Sequence, residues 1–141
     1  MRSQNCPALV GACEMEKHIL LVDDSTTIRK SVASCLRKAE YKVTEAVNGR
    51  DALEKLELLR ELGESVSLVL TDLNMPEMDG ITLTRRLREG PCRFVPILVL
   101  TTETDRAIVE EGKSAGASGW LNKPFQPEEL LSAIRKLVWL G

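Results

Sequence analysis

The sequence predicts an α/β domain with a doubly wound, five-stranded parallel sheet. Short strand-like segments alternate five times with segments of helical periodicity, the pattern of repeated βα units. The run Ile19–Val22 is continuously apolar, as expected of a strand covered on both faces. The third observation concerns strand ends. Asp23-Asp24, Asp72, Thr101 and Lys123 each stand at or just after the carboxyl end of a strand-like segment. In an open parallel sheet those ends share one edge, and ligands bind in the crevice there.

Each element has its own signal. After Ile19–Val22, Asp24-Ser25 caps a helix expected to reach Glu40, with Ile28, Val32, Cys35, Leu36 and Ala39 at helical spacing. Tyr41–Ala46 alternates as a strand, and Asn48-Gly49 turns the chain. Leu53, Leu56, Leu59 and Leu62 mark a helix from Arg50, stopped by Gly63. Val66–Leu70 is the third strand, and a turn-rich loop runs from Asn74 to Gly80. Ile81–Arg88 is a short helix ended by Gly90-Pro91, and Ile97–Leu100 is the fourth strand. Asp105–Ser114 is a helix with a thin apolar face. Gly116–Gly119 turns into a brief fifth strand, Trp120–Asn122. Pro127 opens the last helix, carrying Leu130, Leu131, Ile134, Leu137 and Val138. Right-handed crossovers then put helices on both faces of the sheet.

Length and composition exclude several classes. The 141 residues suffice for one domain with a sizeable core. With a net charge of -2 and no basic stripe, nothing argues for DNA or RNA. No apolar run is long enough to span a bilayer. Cys6, Cys13, Cys35 and Cys92 form no CxxC pair and fit a cytosolic thiol set better than a disulfide framework. Val10-Gly11-Ala12-Cys13 faintly suggests a lipoprotein cleavage box, but only Arg2 is basic and the apolar stretch is too short. Residues 1–16 are therefore expected to be a flexible extension ahead of a domain spanning 17–141, and His18 is expected to be exposed and without a role.

Three acids, a hydroxyl and an amine gathered at one edge suit a hard divalent cation and a phosphoryl group. A lone Asp at a strand end is usually a cap or turn former, and a lone loop lysine is usually solvated. The combination is what points to chemistry. An ionised carboxylate at a strand end can attack phosphorus. Two other motifs fail. Gly112-Lys113-Ser114 ends like a phosphate-binding loop, but Ala107 stands where its leading glycine is needed. Asp72-Leu73-Asn74 begins like a calcium loop, and Pro76 breaks it.

The segments Leu21–Ser25, Leu70–Gly80, Leu100–Glu103 and Lys123-Pro124-Phe125 together resemble the CheY-like receiver domain of two-component response regulators, of the stand-alone chemotaxis type. The resemblance runs from about Lys17 to Leu137. It implies a flavodoxin-like (βα)5 receiver fold with Asp72 as phosphoacceptor. It implies a Mg²⁺ ion held by Asp23, Asp24, Asp72 and the backbone carbonyl of Asn74. Lys123, before a cis proline, would pair with the acceptor and then with the phosphoryl group. Thr101, preferred over Thr102, would be the hydroxyl that moves on activation. Trp120 stands where most receivers carry a Tyr or Phe switch; it is read equally as a switch and as plain packing. Asn74 and Glu103 fall where the family tunes hydrolysis.

The implied function is a cytoplasmic signalling protein rather than an enzyme. It would be phosphorylated by a sensor histidine kinase of the CheA type or by a phosphotransfer protein. Its output would go to a separate partner, such as a flagellar motor switch component, without DNA or membrane. A phosphorelay intermediate is the alternative. An aspartate-nucleophile phosphatase is disfavoured, because it needs an acid where Asn74 stands.

Overall fold

A computed structural model describes residues 17–102 and 104–140. Its elements are β1 (His18–Val22), α1 (Thr26–Lys38), β2 (Lys42–Ala46), α2 (Gly49–Glu61), β3 (Leu68–Asp72), α3 (Gly80–Glu89), β4 (Ile97–Thr101), α4 (Arg106–Ala115), β5 (Gly119–Asn122) and α5 (Pro127–Leu140). The five strands form one parallel sheet in the order β2-β1-β3-β4-β5. The doubly wound, flavodoxin-like expectation is met. The chain leaves β1 to one side for β2, then returns to β3 on the other. The crevice therefore opens between the ends of β1 and β3.

Strand residues alternate between two apolar layers. Leu20, Val22, Val69, Ile97 and Val99 face α2, α3 and α4, where Leu56, Ile81, Leu83 and Leu87 meet them. Ile19, Leu21, Leu68, Leu70, Leu98 and Leu100 face α1 and α5, meeting Val32, Leu36, Leu130 and Ile134. Both sides of the central strands are therefore dry, which explains their continuous apolar spelling.

Several boundaries differ from the sequence reading. α1 ends at Lys38 because Glu40 takes a left-handed backbone, φ 72°. β3 spans Leu68–Asp72, two residues later than Val66–Leu70, so Asp72 belongs to the strand itself. On α1 the buried stripe is Arg29, Val32, Ala33 and Leu36, while Ile28 is exposed. His18 is a correction: it is buried, and its Nε2 lies 2.7 Å from the Thr44 hydroxyl. Its place inside the β1–β2 pairing, opposite Lys42, takes it out of solvent. Leu62, expected in the core of α2, is 65% exposed.

At the end of the sheet away from the acids, Arg88 ties two loops together. Its Nη1 donates to the carbonyls of Cys92 (2.8 Å) and Val95 (2.6 Å), and its Nε to that of Gly116 (3.0 Å). Nη2 reaches the Ser118 hydroxyl at 3.1 Å. Gly116, at φ 115°, closes α4 in a left-handed turn suited to glycine. No described helix is long and apolar enough to cross a membrane.

Candidate phosphoacceptor and metal site

Asp23, Asp24 and Asp72 converge at the ends of β1 and β3, with one oxygen of each within 4.8 Å of the others. Asp23 follows β1 directly and is held on three sides. Its N–H donates to the Ala46 carbonyl at 3.1 Å, its Oδ1 accepts from the Ser25 amide at 2.9 Å, and its carbonyl accepts from Arg29 Nη1 at 2.9 Å. Asp24 is exposed at the mouth. Ser25 then caps α1, accepting from the Ile28 amide.

Asp72 is the last residue of β3, paired in register with Leu100. The loop after it folds back tightly. The Gly80 N–H donates to the Leu73 carbonyl at 2.8 Å, and Asp79 caps α3 through the Thr82 amide. A Cβ on Gly80 would stand 2.5 Å from the Asp72 carbonyl oxygen and 3.0 Å from Leu73 Cα. Only glycine permits this approach. Asn74 lies exposed in that loop, and Glu103 lies outside the described residues, as do Cys6, Cys13 and the rest of the extension.

Lys123 follows β5. Its N–H bonds the Thr101 carbonyl at 2.8 Å, and its peptide bond to Pro124 is cis, as the resemblance implied. Its Nζ reaches Asp72 Oδ1 at 3.0 Å and lies 3.9 Å from Asp23 Oδ2. This is not a solvated loop lysine, since its side chain is 18% exposed. Thr101 ends β4 fully buried, one position beyond the partner of Asp72, whereas Thr102 is exposed. Burial thus distinguishes Thr101 from its neighbour.

Trp120 is half-buried on β5, opposite Val99. Its ring lies on the α4 side against Gly112, where a Cβ would collide with ring carbon Cζ3. Its Nε1–H is buried without a hydrogen-bond partner. The indole therefore sits packed inward, in a niche that the missing side chain of Gly112 provides.

Burial raises the Asp23 carboxyl above its ordinary value; the Ser25 amide opposes this, the Asp72 charge adds to it, Lys123 opposes it and Asp24 adds to it. A divalent cation bound there would relieve that crowding. Three acids against one lysine formally leave two negative charges, in an oxygen donor set open to water at Asp24. That is the chemistry Mg²⁺ takes, so the residues fit it.

The pH consequence has a definite sign. Below the ordinary value of 3.8, Asp23 is protonated folded or unfolded and contributes nothing. As pH rises from there through the elevated folded value, the native state must ionise a buried acid. Stability is lost across that window and stays lost at neutral pH. Asp23→Asn should therefore raise the melting temperature of the metal-free protein at pH 7, with the gain shrinking toward pH 4. Its amide oxygen still accepts from Ser25. A lowered melting temperature at pH 7 would contradict the argument. Glu45 works in the opposite direction: burial raises its value, but hydrogen bonds from Lys30 and Arg29 outweigh this and lower it. Its stabilisation is lost as pH falls.

Sequence reasoning missed Arg29 and Gly80. Arg29 stands three residues before Val32, a legitimate core position, but Ile28 at four residues before drew the stripe instead. Gly80 looked like an ordinary turn residue, and only the folded-back loop shows its contact with Asp72.

The comparisons agree with this geometry. The response regulator receiver domain model matches residues 19–135. The Vibrio cholerae chemotaxis protein CheY4 is 40% identical with a TM-score of 0.79, over 86% of this chain and 98% of its own. The receiver domain of a Pseudomonas aeruginosa sensor histidine kinase, with a magnesium ion coordinated in its active site cleft, is 29% identical with a TM-score of 0.77, over 87% of this chain and 98% of its own. The Staphylococcus aureus transcriptional regulatory protein SrrA is 33% identical over 88% of this chain. The chain spans about half the length of such curated relatives, 48% for SrrA. With the acids, the lysine and the sheet order of a receiver all in place, this chain belongs to the response regulator receiver domain family.

Proposed function

We propose that this chain is a cytoplasmic response regulator that takes a phosphoryl group onto Asp72 in a Mg²⁺-dependent reaction. The donor is a phosphohistidine on a sensor histidine kinase or a phosphotransfer protein. The signal passes by conformational change to a separate partner, in chemotaxis. The observation that carries the reading is Lys123 Nζ at 3.0 Å from Asp72 Oδ1, inside a three-acid cluster.

An Asp72 oxygen attacks phosphorus, the phosphorus–nitrogen bond to the donor imidazole breaks, and the electron pair leaves on that nitrogen. Lys123 offsets charge on the acceptor and then on the incoming oxygens. Asp23, Asp24, Asp72 and the Asn74 carbonyl would hold Mg²⁺, which when bound supplies Lewis-acid neutralisation of phosphoryl oxygens. The Thr101 hydroxyl would donate to one such oxygen. Trp120, beside α4, would report or relay its movement. Asn74 and Glu103 would tune the lifetime of the acyl phosphate. Asn74 offers no acid for turnover of small phosphoesters, which disfavours the phosphatase reading.

The match to CheY4 over nearly all of that protein supports the chemotaxis role over a phosphorelay intermediate. Incubation with acetyl phosphate should give a single phosphoryl adduct, cleaved by hydroxylamine and absent without Mg²⁺. No adduct at saturating donor and metal would end the proposal, and steady turnover of an aryl phosphate would move it to the phosphatase class.

A further inference from the structure

Arg29 is 7% exposed, an unusual place for a guanidinium. Nε donates to Glu45 Oε1 on β2 at 3.1 Å, and Nη1 donates to the Asp23 carbonyl at 2.9 Å. The same Glu45 carboxylate also meets Lys30 at 3.2 Å and Arg37 at 3.3 Å. A charge is thus buried, balanced and aimed at the backbone of a site residue.

That carbonyl belongs to the peptide joining Asp23 to Asp24. The Asp23 N–H and Oδ1 are already engaged by Ala46 and Ser25. Arg29 completes the set, fixing the peptide plane and with it the direction in which Asp24 leaves. Oδ2 of Asp23, the oxygen nearer Lys123, then faces the cluster. Mutating groups that orient metal ligands from behind typically costs about 10–100-fold in metal affinity.

We infer that Arg29 is a positioning residue for the metal site, holding the Asp23–Asp24 peptide so that both carboxylates meet Asp72. The inference rests on the phosphoacceptor reading above. Coulomb interaction alone predicts the reverse effect. Removing a positive charge beside an acidic cluster should tighten cation binding, whereas loss of positioning should weaken it.

The test is Mg²⁺ titration by calorimetry on the full chain, with circular dichroism to verify folding. Arg29→Met should bind Mg²⁺ roughly tenfold more weakly than the parent. Arg29→Lys keeps the charge but not the two-pronged donor, and should fall between them. Glu45→Gln leaves Nη1 on the Asp23 carbonyl and should stay within about threefold of the parent. Should Arg29→Met not fold, Arg29→Lys carries the comparison. Unchanged or tighter binding in the folded Arg29 variants overturns the inference, as does an equal loss in Glu45→Gln. A parent protein that binds no Mg²⁺ overturns the phosphoacceptor reading itself, a separate outcome.

Discussion

Asp72→Asn should lose phosphoryl labelling by acetyl phosphate completely while keeping the far-ultraviolet spectrum of the parent. The change removes the nucleophilic oxygen with little change in volume, and an amide does not attack phosphorus. Asp72 sits at the strand end, 11% exposed at the side chain; the Thr71 hydroxyl donates to its backbone carbonyl and the Leu73 N–H to the Leu100 carbonyl, bonds that the substitution leaves alone. Lys123 loses its charged partner but keeps Asp23 Oδ2 at 3.9 Å. Labelling should fall below detection, a loss of more than about 100-fold. Mass spectrometry of the modified peptide decides the matter. Undiminished labelling of Asp72→Asn elsewhere would displace Asp72 as the acceptor.

The second large effect is steric. Gly80→Ala should destabilise the fold by about 2–3 kcal/mol in urea unfolding and slow labelling of Asp72 as well. The added methyl meets the Asp72 carbonyl oxygen at 2.5 Å, Leu73 Cα at 3.0 Å and the Asp72 carbonyl carbon at 3.3 Å. These are backbone atoms, so no side chain can rotate away. Either α3 moves back or the end of β3 moves, and the second displaces Asp72 relative to Lys123. Parent stability together with parent labelling would show that the loop absorbs the methyl elsewhere.

Much of the fold was legible because both faces of the sheet are covered. Runs such as Ile19–Val22 and Ile97–Leu100 have no polar face to interrupt them, and glycine or proline punctuates most of their connections. The acids and Lys123 were legible for a related reason. A charged residue ending an apolar strand is conspicuous, and parallel topology carries all such ends to one edge. The side chains behind the site were not legible. Arg29 is spelled like a surface residue, and its burial depends on Glu45, distant in sequence, and on the Asp23 carbonyl. His18 likewise depends on Thr44 across the sheet. Trp120 was legible as a half-buried strand aromatic, but the niche at Gly112 that receives its ring was not. Each of these depends on a tertiary partner that the local pattern does not name.

The clamp that Arg88 makes on Gly116 bears on how α4 can move. The helix has one buried residue, Gly112, near its trailing end, and that end is fastened through Arg88 to the β4 approach. Of its leading turn, Arg106 and Ala107 are exposed, while Ile108 and Val109 are half-buried. A lever held at one end swings; it does not slide. A rearrangement starting at Thr101 would therefore fan the leading half of α4 away from or toward β5, with the indole of Trp120 close to the fulcrum. The tip would travel furthest while the ring turns little, a gradient that amide hydrogen exchange along the helix would register.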